Sequence, residues 1–171
     1  MIRKIYMLND FLKEKFNEKI YKVSLDGGFT CPNRDGKVSR GGCIFCSENG
    51  SGDFTATKLK SIHAQIEEQI DLVSKKYKGD TYFQNFTNTY AEVSYLRKIY
   101  EEALSHEKIV GLAIATRPDC LEDDVLELLA ELNKKTFLWV ELGLQTLNDD
   151  VAKYFNRAYE TEIYKEASEK L

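Results

Sequence analysis

Three of the four cysteines in this 171-residue chain fall within sixteen residues, as Cys31, Cys43 and Cys46. The pattern is Cys31-x11-Cys43-x2-Cys46. In a reducing compartment such a group more often binds metal than forms disulfides. Three thiolates on one loop can hold three irons of a cubane and leave the fourth iron open, whereas a structural zinc normally takes four protein ligands. The spacing therefore favours a [4Fe–4S] cluster with one exchangeable corner. Zinc remains the other reading, with Cys120, His63 or His106 as a remote fourth ligand. Gly41 and Gly42, just before Cys43, allow close backbone approach, so that N–H groups can reach sulfur. Phe45 would shield the cluster or lie against a ligand bound to it.

Loops must be positioned by something, and the rest of the chain alternates strand and helix patterns. A short helix, capped by Asn9 or Asp10, runs to about Phe16. The run 19–25 reads as a strand and opens into a long loop over 26–57, rich in Gly, Asn, Ser and Asp. Loops of that length in a compact domain are functional or disordered, and clustered ligands favour function. Leu59, Ile62, Ile66, Ile70, Val73 and Tyr77 form one face of a helix. Strands follow at 81–86, 109–115 and 137–142, the last two apolar enough to be buried on both faces. Helical stripes follow them at 93–104 and 121–132, then near 149–156 and 162–171. Four strands, each followed by a helix, predict an α/β fold with a parallel sheet.

In such folds chemistry sits beyond the C-terminal ends of the strands. Here those ends are Gly28-Phe-Thr-Cys31, Thr87-Asn-Thr-Tyr90, Thr116-Arg-Pro-Asp119 and Gly143-Leu-Gln145. All four are expected on one rim. Thr116-Arg-Pro-Asp119 also reads as a plain helix start, with Pro118 at the first helical position. Glu141 inside an apolar strand needs a partner or a task, because an unpaired buried carboxylate is costly. Arg117 is the expected partner. Cys120 reads as a small buried residue at a helix start, its place beside the rim leaving a catalytic role as the alternative, and His63 and His106 read as structural.

Composition bounds the rest. The chain is 43% hydrophobic with a net charge of −4, which suits one domain with a real core. No apolar run approaches the roughly 20 residues of a membrane helix, and the start lacks the pattern of a secretory signal. A cytoplasmic setting is expected. By count of the sequence, residues 1–60 carry a net +4, 61–120 a net −2 and 121–171 a net −6. A polyanion would prefer the first third, although scatter on a solvated surface explains the same numbers.

Taken together, Cys31-Pro-Asn-Arg-Asp-Gly36, Gly41-Gly-Cys-Ile-Phe-Cys46 and Ser47-Glu-Asn-Gly-Ser-Gly52 resemble the cluster loop of radical S-adenosylmethionine (SAM) enzymes. The first gap is eleven residues rather than the more common three. Such wider gaps are similar to the subgroup around the catalytic subunit of elongator. Ile114-Ala-Thr-Arg-Pro-Asp119 is similar to that subgroup's Glu-Thr-Arg-Pro-Asp strand end, with Ala115 in place of the glutamate. Val140-Glu-Leu-Gly-Leu-Gln-Thr146 is similar to its Val-Glu-Leu-Gly-Val-Gln-Ser. With Thr87-Asn-Thr-Tyr90 in register, residues 5–157 look closest to the bacterial YhcC/YtqA-type branch.

The resemblance implies that Cys31, Cys43 and Cys46 ligate iron and that the open iron takes the amino and carboxylate groups of SAM. An electron from a donor such as flavodoxin or ferredoxin then cleaves SAM to methionine and a 5′-deoxyadenosyl radical, which abstracts hydrogen from substrate. It places Phe45 by the adenine, and Thr116 and Arg117 near the ribose or carboxylate. Glu141 and Gln145 would bind the ribose hydroxyls or shape the pocket. Asn85, Thr87 and Asn88 stand where many relatives use Gly-Gly-Glu for the SAM amino group. The elongator likeness implies a tRNA substrate, such as a modified uridine. It also implies residues 1–171 as the N-terminal part of a radical SAM core, with 1–18 an N-terminal helix and 26–57 the cluster loop. A full (β/α)₈ barrel needs roughly 250 residues, so about four βα units predict a partial barrel from a longer protein. Its last strand would present an open edge for self-association. The alternative is a zinc-stabilised binding module, or a fragment that keeps the loop without turning over.

Overall fold

A computed structural model describes residues 5–47, 50, 60–74, 80–83 and 87–171. The elements in chain order are α1 (Leu8–Phe16), β1 (Lys22–Leu25), α2 (Pro32–Asp35), α3 (Ile62–Ser74), β2 (Asp80–Phe83), α4 (Val93–Leu104), β3 (Gly111–Thr116), α5 (Asp123–Asn133), β4 (Phe137–Leu142), α6 (Asp149–Tyr154) and α7 (Thr161–Lys170), with a 3₁₀ turn at Pro118–Cys120. The strands form one parallel sheet in the order β1-β2-β3-β4. Val23 pairs with Thr81, Thr81 with Leu112, and Leu112 with Leu138. Each strand thus lies beside its predecessor in sequence, as βα units dictate.

The period-two pattern divides the sheet into two faces. Val23, Leu25, Leu112 and Ile114 turn toward the helices and join Ile62, Ile66 and Ile70 of α3, Leu96, Ile99 and Tyr100 of α4, and Val125, Leu128, Leu129 and Leu132 of α5. These are the helical stripes legible in the sequence. Leu138, Val140 and Leu142 complete the layer from β4. The other face carries Lys22, Ser24, Ala113, Ala115, Trp139 and Glu141. Apart from Trp139 these are small or polar, and Ala115 and Glu141 line the cavity described below.

Lys22 and Glu141 form an ion pair, although they sit on the two outermost strands. A flat sheet would hold β1 and β4 about 14 Å apart. The pair therefore reports a curled sheet whose outer strands approach one another across the concave face. Lys22 Nζ also lies 4.9 Å from the centroid of the Trp139 ring. Glu141 therefore finds its partner in Lys22 and not, as expected, in Arg117, because Arg117 is engaged by Asp119.

Several sequence expectations change in detail. The first helix starts at Leu8 after Met7, so Asn9 and Asp10 lie within it rather than at its cap, and the Asp10 carboxylate accepts from Met7 N at 3.3 Å. β4 is half-buried along its length rather than fully buried, because it pairs only with β3 among the described strands and its inner face borders the concavity. The loop after β1 contains a short helix, α2. The helix expected at 121 is preceded by the 3₁₀ turn, in which Pro118 takes the first position, and α5 itself begins at Asp123 with Asp123 and Asp124 in its first turn. That acidic pair suits the positive end of the helix dipole. Leu59, Tyr77, Asn85 and the loop over 51–57 lie outside the described residues.

Candidate active site at the strand ends

The site begins where β1 ends. Asp26 is clamped by Gln65 of α3, whose Oε1 accepts from Asp26 N at 2.8 Å and whose Nε2 donates to Asp26 O at 3.0 Å. The Asp26 carboxylate accepts in turn from Gly28 N at 2.8 Å. Gly28 has φ +71°, a left-handed conformation open to glycine without a Cβ penalty. This tight turn delivers Cys31 as the N-cap of α2, with Pro32 at the first helical position.

The cysteine loop then folds back on α2. Gly42 N donates to Asn33 O at 2.8 Å and Cys46 N to Cys43 O at 3.0 Å. Gly42 has φ +78°, and a Cβ there would sit 2.9 Å from Arg34 Nε. The glycine is therefore needed both for its conformation and for the passage of Arg34, which donates to Cys46 O at 3.4 Å and to Ser47 O. A segment from beyond α6 holds the loop from the far side. Phe155 O accepts from Ile44 N at 3.1 Å, and Asn156 Nδ2 donates to Gly42 O at 2.8 Å. Phe45 packs edge-on against Phe155, ring centroids 5.3 Å apart.

These segments and the strand ends enclose one cavity of about 350 Å³, within the range of small-molecule sites. Cys31, Cys43, Cys46 and Phe45 line one side. Thr87, Thr116, Arg117, Glu141 and Gln145 line the other, joined by Arg34, Arg157 and Tyr159. Of the residues singled out from the sequence, Asn88 is turned away: its Nδ2 donates to Ala115 O at 2.7 Å, and Tyr100 OH donates to its carbonyl, so it ties the end of β2 to β3. Asn85 is outside the described residues.

The neighbouring thiols of Cys43 and Cys46 split their acidity. Cys46 is lowered to about 6 by the neighbouring Cys43 thiol, with further help from the Arg34 guanidinium. Cys43 is raised by the same contact and by burial. The lowered member of the pair favours the thiolate, which is the metal-binding form. Cys120 is also raised, by burial and then by Asp119. It is buried, lies outside the cavity lining, and its carbonyl accepts from Thr89 Oγ1 at 2.6 Å.

Arg117 grips Asp119 with both ends of its fork, at 2.8 and 2.7 Å, and donates to Arg157 O at 3.0 Å. Burial pulls its pKa down, but Asp119 more than offsets this. Tyr159 lies against both guanidinium groups, 4.9 Å from Arg117 and 4.4 Å from Arg157, and its OH donates to Gly143 O. Burial raises its hydroxyl to about 12, so it remains a donor. Arg157 is fully buried and donates to the carbonyls of Leu144, Thr146 and Tyr159 at 2.8, 2.6 and 3.0 Å. It also bonds the Asp149 carboxylate at 2.9 Å. Arg157 therefore shapes the strand end that carries Gln145, which has φ +60°. Sequence reasoning missed Arg34, Arg157 and Tyr159, because isolated basic and aromatic residues in a loop carry no periodic signal.

His63, Glu67 and His106 also bring their ligand atoms within 4.8 Å of one another. Both ring nitrogens of His106 are committed, Nε2 to Glu67 at 2.8 Å and Nδ1 as acceptor from Lys108 N at 3.2 Å. A metal on Nε2 would leave the imidazole with no nitrogen to carry its proton unless the Lys108 contact broke. His106 is therefore hydrogen-bonded between α3 and the turn after α4, with the His63 ring beside it at 4.7 Å between centroids.

Known proteins match this chain over most of its length. Residues 31–171 match the model of the Radical SAM superfamily, and the chain belongs to that superfamily. It is 48% identical over 99% of its length to YtqA of Bacillus subtilis, covering 53% of that protein. It is 40% identical to YhcC of Escherichia coli K12 over 96% of its length, again 53% of the relative. The protein MJ0486 of Methanocaldococcus jannaschii is 36% identical over 88% of the chain. The chain thus spans about half the length of the curated relatives it matches. Superfamily members typically use a [4Fe–4S] cluster and SAM. The donor set fits: three thiols border one cavity, and the side chains considered as a fourth zinc ligand, Cys120, His63 and His106, do not line it. Among the described residues no helix is long and apolar enough to cross a membrane.

Proposed function

We propose that this chain is the cofactor-holding part of a radical SAM enzyme, with Cys31, Cys43 and Cys46 as the ligands of a [4Fe–4S] cluster and SAM at its open corner. The observation that carries the reading is the single cavity shared by three thiols and three strand ends. When bound, the cluster supplies the electron that cleaves SAM to methionine and a 5′-deoxyadenosyl radical, which takes hydrogen from substrate. The protein's part is ligation, orientation and exclusion of water. Arg34 favours the Cys46 thiolate. Arg117 and Arg157, each already paired with an acid, build the wall beside the strand ends with Tyr159 between them. Thr87, Thr116, Glu141 and Gln145 offer hydrogen bonds to an amino group or ribose hydroxyls, and Phe45 an apolar face for adenine. The curled sheet is one arc of a larger partial barrel. The substrate we propose is a modified uridine in tRNA, on the elongator-like motifs and the positive first third of the chain. A low-potential flavodoxin or ferredoxin supplies the electron in the cytoplasm.

The test is chemical. Anaerobic loading with iron and sulfide is expected to give about four irons per chain, and to fail when any of the three cysteines becomes Ala. Reduction in the presence of SAM is expected to release 5′-deoxyadenosine. Tight zinc binding with no iron uptake overturns the proposal.

A further inference from the structure

Asn33 is fully buried within the cysteine loop. Its Nδ2 has two protons, and the structure gives each a target. One goes to Asn156 O at 2.6 Å, the other to Cys43 Sγ at 3.5 Å. Flipping the amide would set Oδ1 against the Asn156 carbonyl, two acceptors in contact, so the orientation is fixed by the network. Asn33 Oδ1 is left buried with no hydrogen-bond partner among the described residues. Such an acceptor is costly, and the same Asn contributes a donor aimed at sulfur. Asn156 has φ +57°, so the carbonyl that aims the Asn33 amide is itself held in a left-handed turn. A hydrogen bond to a ligating sulfur withdraws charge from it and favours the reduced cluster, one of the terms that set cluster potentials.

We infer that Asn33 is a positioning residue that raises the reduction potential of the cluster through its N–H···S bond to Cys43. The inference rests on the ligand assignment under Proposed function. Its consequence is that Asn33 sets how strong a reductant is needed to begin the reaction, without touching SAM or substrate.

The experiment is a potentiometric titration of the reconstituted full chain, followed by electron paramagnetic resonance. Asn33→Leu keeps the volume and removes the donor. Asn33→Asp removes the donor and adds a negative charge. At the wild-type midpoint, the reduced-to-oxidised ratio is expected to fall about tenfold in Asn33→Leu, equivalent to about 59 mV for one electron, and further in Asn33→Asp. Equal midpoints in variants that load a full cluster overturn the inference and leave the ligand assignment standing. No cluster in the wild-type chain overturns the ligand assignment itself. Should the variants not load, wild-type protein carrying ¹⁵N at asparagine side-chain nitrogens keeps the question decidable. A ¹⁵N hyperfine coupling to the reduced cluster supports the bond, and its absence refutes it.

Discussion

Arg157 offers the clearest quantitative test of how the site is held. The side chain has 1% of its surface exposed and serves three carbonyls, the Asp149 carboxylate and Thr161 Oγ1. Replacing it with Met keeps much of the apolar stem and strips the fork. The carbonyls of Leu144, Thr146 and Tyr159 then lose a charged donor inside the protein. Hydrogen bonds to charged groups contribute about 1.5–3 kcal/mol each and do not add fully, and removing one member of a buried ionic network costs about 3–5 kcal/mol. The Asp149 side chain is 41% exposed, so water takes over part of that interaction and the lower end applies. The expected loss is about 3 kcal/mol, or roughly 6–12 °C in Tm for a chain of this size. Arg157→Lys restores charge without the fork and is expected to recover less than half. Urea unfolding of the metal-free chain measures both. A midpoint for Arg157→Met within error of wild type would refute the claim that this residue holds the strand end together.

Further predictions follow from the same geometry. In metal-free protein the Cys46 alkylation rate is expected to rise through about pH 6 and level off above it, because the lowered thiol is already a thiolate there; mass spectrometry of iodoacetamide adducts reads this, and a rise centred near the ordinary thiol value of about 8.5 would contradict it. Gly42→Ala is expected to cost about 1–3 kcal/mol from its left-handed backbone and to crowd Arg34, lowering iron uptake, with full uptake as the contrary result. Glu141→Gln is expected to leave iron content unchanged while weakening SAM binding by calorimetry, whereas unchanged affinity would place Glu141 in a purely structural pair with Lys22.

Much of this was legible because periodicity reports burial. The stripes at Leu96, Ile99 and Tyr100 and at Val125, Leu128 and Leu132 fix α4 and α5, and the apolar run 137–142 coincides with β4. The rim was legible for the same reason: parallel strands in βα units place their C-terminal ends together whatever the loops do. What sequence could not supply was partner choice. Glu141 looked toward Arg117, which is near in motif but already held by its neighbour Asp119. Lys22 reaches Glu141 only because the sheet curls, and curvature is not written in a local pattern. Arg157 is hidden similarly, since a buried arginine and an exposed one look alike until the carbonyls around it are known.

On the proposed function, Cys31, Cys43 and Cys46 hold a cluster with one iron open to SAM. Electron paramagnetic resonance of the anaerobically reconstituted, reduced chain, with and without SAM, tests it most directly. A [4Fe–4S]⁺ signal is expected whose shape changes on addition of SAM and which is lost in the triple Cys→Ala variant. A cluster signal that SAM leaves untouched would contradict the open site, and a chain that binds only zinc would contradict the cluster itself.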